Sequence, residues 1–129
     1  MDITTVIEAA VAAQGRAYAP YSGFLMGAAV LTTGDTIVTG ALVENVSLGL
    51  AMCAERVALF TSVAMGERPK ALVVASPRTN GSITFPCGAC LQVALELGGR
   101  EMMVVAVAPD GSVERAELGV LLPRGPRKG

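Results

Sequence analysis

The valine-rich runs Ala71–Ser76 and Met102–Ala108 most constrain this chain, because each is short, nearly continuous in apolar residues and separated from the other by a helix-like segment. Such runs read as strands buried on both faces, and a helix between them favours a mixed sheet with helices on both sides. The remaining segments fit that frame. Asp2 is placed to cap a helix in which Ile3, Val6, Ile7, Ala10 and Val11 recur at helical spacing. Gly15 and Pro20 end it, and Tyr18–Gly23 reads as a loop. Met26–Thr33 and Thr36–Leu42 form two strands around Gly34-Asp35, a hairpin signal. Met52–Met65 is a helix almost without charge after Arg56, which implies burial on more than one side. Pro77–Gly81 is a loop, and Ala89–Leu97 is a second apolar helix that stops at Gly98-Gly99. Ser112–Glu117 is a strand that follows the turn Pro109-Asp110-Gly111. The order α-β-β-α-β-α-β-β describes one α/β domain over residues 1–129, without repeat or linker, and residues 123–129 read as a mobile tail.

Composition narrows the function classes. With 52% hydrophobic residues and a net charge of -1, the chain is not intrinsically disordered. Ten basic residues against eleven acidic ones give no electrostatic footprint for nucleic acid. The longest apolar stretches, such as Phe24–Leu31, fall far short of the roughly 18 residues a membrane span needs. The start Met1-Asp2 shows no basic segment leading into an apolar core, so a cytoplasmic location is expected. The two largely apolar helices carry more hydrophobic surface than a monomer of this size easily buries, which points to an oligomer.

Histidine is absent altogether. Every mechanism that needs an imidazole is therefore excluded, including Ser-His-Asp and Cys-His hydrolysis and His-ligated metals. The three cysteines, Cys53, Cys87 and Cys90, are an odd number, which argues against a disulfide framework. All three fall at or just before helix starts, where free N–H groups and the helix dipole lower thiol pKa values. Cys87-x-x-Cys90 suits one metal held from a single turn, and Cys53 can supply a third thiolate. Three thiolates suit zinc. With no fourth protein donor at hand, an open coordination position results, as in catalytic sites. Glu55, two residues beyond Cys53, could sit beside the ion without ligating it and move protons. Arg56 could offset the excess negative charge by donating to a thiolate, and Gln92 is a second polar group in reach. Two other readings stay open on these residues alone: a redox Cys87/Cys90 pair, and a structural metal site.

Cys53-Ala54-Glu55 followed by Pro86-Cys87-Gly88-Ala89-Cys90 is the all-cysteine form of the zinc deaminase signature. Together with Ala19-Pro20-Tyr21-Ser22, Gly27-Ala28-Ala29, Val43-Glu44-Asn45 and Leu121-Leu122-Pro123, it resembles the small cytidine deaminases over nearly the whole chain. The resemblance implies a three-layer α/β/α fold on a five-stranded mixed sheet, assembled as a homotetramer. It implies one zinc ion on Cys53, Cys87 and Cys90, attack of activated water at C4 of a cytosine ring, and Glu55 as the proton carrier. Ala54 would orient the polar edge of the base through its backbone, Phe24 would pack on the base, and Glu44 would accept a hydrogen bond from a ribose hydroxyl. The partner is then a small nucleoside, with neither nucleic acid nor membrane involved.

The sequence departs from that pattern on the sugar side. Leu42 stands where the family has an asparagine and cannot hydrogen-bond a hydroxyl, which leaves Glu44 alone at that end. Leu48 replaces a frequent aromatic residue, Leu91 a frequent arginine, and the tail lacks the family's phenylalanine after Leu122-Pro123. A cytosine nucleoside antibiotic of the blasticidin S type, or another aminopyrimidine, is therefore the alternative substrate.

Overall fold

A computed structural model describes residues 2–128. The elements are α1 (Ile3–Ala13), β1 (Gly27–Thr32), β2 (Ile37–Ala41), α2 (Ala54–Ala64), β3 (Pro69–Ala75), α3 (Gly88–Gly98), β4 (Met103–Val107), β5 (Val113–Glu117) and α4 (Leu118–Leu121). The sequence-based boundaries agree to within two residues, and the cap Asp2 accepts from the Thr4 amide as expected. The four-residue helix α4 has no counterpart in the expected order, since Leu-Gly-Val-Leu is too short to show a helical period.

The strands form one mixed sheet in the order β2-β1-β3-β4-β5. β1 pairs antiparallel with both β2 and β3, β3 pairs parallel with β4, and β5 returns antiparallel on the far edge. Every residue of β1 is buried, which is why a run such as Gly27–Thr32 shows no polar alternation. The two faces have separate cores. Ala28, Val30, Leu72 and Val104 meet Ala58 and Leu59 of α2 and Ala94 and Leu95 of α3. Ala29, Leu31, Val73 and Val105 meet Val6 and Ala10 of α1 on the opposite face. This is the expected three-layer arrangement. The edge strand β5 turns Glu114, Arg115 and Glu117 to solvent, a charged border that discourages further strand pairing.

The topology gathers three segments at one end of the sheet. β2, β3 and β4 run in one direction, so α2 after β2 and α3 after β3 both begin beyond the carboxyl ends of their strands. β1 runs the other way, and its first residue, Gly27, pairs with Ala41 and Ala75, the last residues of β2 and β3. The loop before β1 therefore arrives at the same end as the two loops that lead into α2 and α3.

The tail is fastened as far as Arg127; Gly129 lies outside the described residues. The Arg100 guanidinium donates to the Gly125 carbonyl at 2.7 Å, Gln92 Nε2 to the Pro126 carbonyl at 2.8 Å, and Arg127 Nε to the Leu95 carbonyl at 2.8 Å. The acceptors are main-chain carbonyls, which a sequence pattern does not advertise, and this corrects the expectation of a mobile tail.

Gly40 sets the depth of α2. A Cβ there would lie inside contact distance of the Ala54 carbonyl oxygen and the Ala58 backbone nitrogen, neither of which can rotate away. Gly40→Ala is expected to cost about 1–3 kcal/mol, as overpacking does. Gly15→Ala, where a Cβ meets nothing within 4 Å, should change stability by less than about 0.5 kcal/mol. Urea unfolding of the two variants checks the contrast.

Candidate active site

Cys53 is the N-cap of α2 and Cys87 the N-cap of α3, both in extended backbone conformation, and Cys90 lies one turn into α3. The convergence of the two helix starts brings the thiols together. Cys53 Sγ is 4.0 Å from Cys87 Sγ, Cys87 Sγ is 3.6 Å from Cys90 Sγ, and all three lie within 4.8 Å of one another. A tetrahedral ion with Zn–S bonds of about 2.3 Å needs sulfurs about 3.8 Å apart. The donor set thus fits zinc in both chemistry and spacing, with three ligands and one position left over.

Neither N-cap side chain accepts from a backbone N–H of its helix, so both helix starts present free N–H groups near the sulfurs. Arg56 Nη2 donates to Cys53 Sγ at 3.4 Å, as expected from the charge argument. Hydrogen bonding from the Cys90 thiol and then from Arg56 outweighs burial and holds the Cys53 thiol well below its ordinary pKa. Cys90 is pushed up as the partner that keeps its proton, and burial adds to this. A cation bound by all three sulfurs would displace the proton that Cys90 keeps.

Glu55, in the first turn of α2, is almost wholly buried, and its Oε1 has no hydrogen-bond partner among the described residues. Burial pushes its carboxyl up to about 7, and the neighbouring Cys53 charge adds to the rise. A buried carboxyl with an unsatisfied oxygen carries a penalty that a purely structural glutamate would not sustain. Ala54, the first residue of α2, is completely buried. Its main chain sits between the ligand-bearing Cys53 and Glu55.

The remaining expected residues are placed by a small ladder that sequence reasoning did not anticipate. Val43 bridges antiparallel to Met52, the residue before Cys53, with N···O distances of 3.0 and 2.9 Å. On its other side Val43 bridges parallel to Tyr18: the Tyr18 amide donates to the Leu42 carbonyl, and the Glu44 amide to the Tyr18 carbonyl, both at 2.8 Å. Leu42, Glu44 and the loop that carries Phe24 are thereby tied to the segment entering Cys53. Single bridges of this kind have no periodicity to betray them. The Glu44 carboxylate accepts from the Tyr21 amide at 3.0 Å, the Ser22 amide at 3.2 Å and the Ser22 hydroxyl. Leu42 is half-buried and uses its backbone alone in hydrogen bonding. Gln92 does not join the thiols: its amide nitrogen is directed to the Pro126 carbonyl, on the side of α3 that meets the tail. That corrects its expected place beside the metal ligands.

Residues 1–106 match the family model described as the cytidine and deoxycytidylate deaminase zinc-binding region. The chain is 45% identical over 123 residues to a probable cytidine deaminase of Dictyostelium discoideum, covering 95% of this chain and 82% of that one. A cytidine deaminase of Halalkalibacterium halodurans is 37% identical over 123 residues, covering 95% and 92%. Among solved structures, the cytidine deaminase from Burkholderia pseudomallei superposes with a TM-score of 0.89 at 45% identity, over 97% of this chain and 99% of that one. The enzyme from Mycobacterium tuberculosis gives a TM-score of 0.82 at 39% identity, over 97% of each chain. Agreement of this extent, on a chain whose three thiols converge at two helix starts, shows that it belongs to the cytidine and deoxycytidylate deaminase zinc-binding family.

Proposed function

We propose that this protein is a zinc-dependent hydrolytic deaminase that converts cytidine, or a close analogue, to the uridine product and ammonia. The observation that carries the reading is the buried Glu55 carboxyl, its Oε1 without a partner among the described residues, in the first turn of the helix that Cys53 of a three-thiol cluster of zinc dimensions begins. Cys53, Cys87 and Cys90 hold the ion, which when bound supplies Lewis-acid activation of water. Glu55 takes a proton from the attacking water and delivers it to N3 of the ring, where it remains in the product. It then passes the second proton from the new C4 hydroxyl to the departing amine, so water and substrate balance as uridine and ammonia. Arg56, through its bond to Cys53, moderates the charge of the thiolates.

On the binding side, Phe24 packs on the base and the Ala54 main chain meets the polar edge of the ring. Glu44 has accepted three hydrogen bonds and retains room for one more, which a ribose hydroxyl can supply. Leu42 offers that end of the substrate an apolar contact only. The named relatives are cytidine deaminases, which favours cytidine over a cytosine nucleoside antibiotic. A redox role for Cys87 and Cys90 would leave Cys53 and Glu55 without a task. Unpaired cysteines fit a reducing compartment, and we place the reaction in cytoplasmic pyrimidine salvage. No helix among the described residues is long and apolar enough to cross a membrane.

The working form is a homotetramer. Phe60, Val63, Ala64, Val93 and Leu97 line an open groove of about 620 Å³ between α2 and α3, and the loop entering Cys53 exposes Val46, Leu48 and Leu50. Apolar surface on both the helix face and the site loop suits contact with further copies of the chain.

Glu55→Gln is expected to retain about one zinc per chain while turnover falls roughly 10²-fold or more; metal analysis and ammonia release on one preparation measure both, and full activity would remove Glu55 from its role. In the zinc-loaded protein, all three thiols should resist a thiol reagent until a chelator is added; ready modification beforehand would count against the ligand set. Val63→Glu, on a half-exposed position of the groove, should leave the circular dichroism intact and lower the mass seen in sedimentation. An unchanged tetramer mass would take the groove out of the interface.

A further inference from the structure

The three bonds to Glu44 belong to a longer chain. Ser22 Oγ donates to Glu44 Oε2 and at the same time accepts from the Phe24 amide at 3.0 Å, while Glu44 Oε1 takes the Tyr21 and Ser22 amides. Gly23, between Ser22 and Phe24, has φ +67, which lets the loop turn tightly enough for this closure. The Glu44 amide is itself anchored to the Tyr18 carbonyl at the start of the same loop. Glu44, fixed to the ladder beside Cys53, therefore holds this segment at two places, by its amide at Tyr18 and by its carboxylate at Tyr21 and Ser22, and Ser22 Oγ relays the hold to Phe24. The carboxyl is held below its ordinary value chiefly by the Ser22 hydroxyl, against an opposing effect of burial, with the Tyr21 and Ser22 amides adding to the lowering.

We infer that Ser22 and Glu44 form a clasp that positions Phe24 against the base, with Ser22 acting as a positioning residue for substrate binding. The inference rests on the proposed role of Phe24 in the deaminase reading. It goes beyond that reading in giving Glu44 a task independent of the sugar and Ser22 a task of its own. The loop is largely exposed, so polar bonds restrain where Phe24 stands: the clasp, the Gly23 amide on the Ala19 carbonyl, and Gln14 Nε2 on the Leu25 carbonyl. A serine hydroxyl suits the position because it donates to the carboxylate and accepts from the amide at once.

The test compares the zinc-loaded wild-type protein with Ser22→Ala and Ser22→Thr, using cytidine and 2′,3′-dideoxycytidine as probes. Ser22→Ala is expected to raise KM roughly three- to tenfold, by the loss of bonds of this class. The rise should be equal for both nucleosides with kcat nearly unchanged, because the defect lies in the base platform and not in a sugar contact. Amide hydrogen exchange at Phe24 should accelerate in the same variant, and Ser22→Thr, which keeps the hydroxyl at an exposed position, should restore both properties. A KM that does not change overturns the inference. So does a rise confined to cytidine, which would mean that the pair serves the ribose hydroxyls directly. Should the wild-type protein turn over no cytosine nucleoside, the deaminase reading fails, and unaltered exchange at Phe24 in Ser22→Ala would then separately remove the clasp.

Discussion

The packing of three sulfurs within 4.8 Å of one another is the constraint around which the rest of the molecule is organised. Three thiolates in so small a space repel one another unless protons or a cation sit between them. The fold meets that demand with groups already aimed at the spot. Two helices start there with uncapped N–H groups and Arg56 reaches Cys53, while no donor among the described residues satisfies Glu55 Oε1. Placing the same cysteines elsewhere on the helices would remove the dipoles and leave the charge unbalanced. The absence of histidine sharpens this arrangement, since every ligand is an anion and the site's affinity depends on how well that negative charge is met.

The convergence follows from strand direction. Because β2 and β3 both oppose β1, α2 and α3 are crossovers between strands that share a direction, and their first residues come to one edge. The closeness of α2 to the sheet then depends on Gly40, whose missing side chain admits the backbone of Ala54 and Ala58. Gly27 performs the same service for α1 on the other face, where the Ala10 carbonyl and the Gln14 amide occupy the space of a Cβ. The position of Cys53 and Glu55 is thus determined in part by a residue that touches neither.

The core strands and helices were legible in the sequence because their signals are collective: apolar runs for buried strands, helical spacing for α1, glycine pairs at ends. The thiol cluster was legible because each cysteine coincides with a helix start that those signals already locate. What stayed hidden depends on single contacts. The Tyr18–Val43–Met52 ladder consists of isolated bridges, and Ser22 sits in a stretch that reads only as loop. The Gln92 amide and the fastening of the tail depend on carbonyl acceptors brought near by tertiary packing. A polar side chain in sequence announces that it needs a partner, not which one it will find.

The two halves of the site differ in how they are held. Cys90, Ala54 and Glu55 are buried beside a core shared by α2, α3 and the sheet, so displacing them disturbs the packing of many groups at once. Phe24, Glu44 and Leu42 lie on or next to a loop restrained by a few hydrogen bonds, several of them open to solvent. Substitutions on the second half cost little folding energy and leave the thiol cluster where it is. Leu42 is such a case: its carbonyl accepts from the Tyr18 amide and its amide donates to the Met26 carbonyl, bonds that do not depend on its side chain, while leucine and asparagine differ in what they offer a hydroxyl. The metal-binding half can therefore stay constant while the substrate-facing half is altered residue by residue, and the departures from the family pattern at Leu42, Leu48 and the tail lie outside the ligand set and its proton carrier.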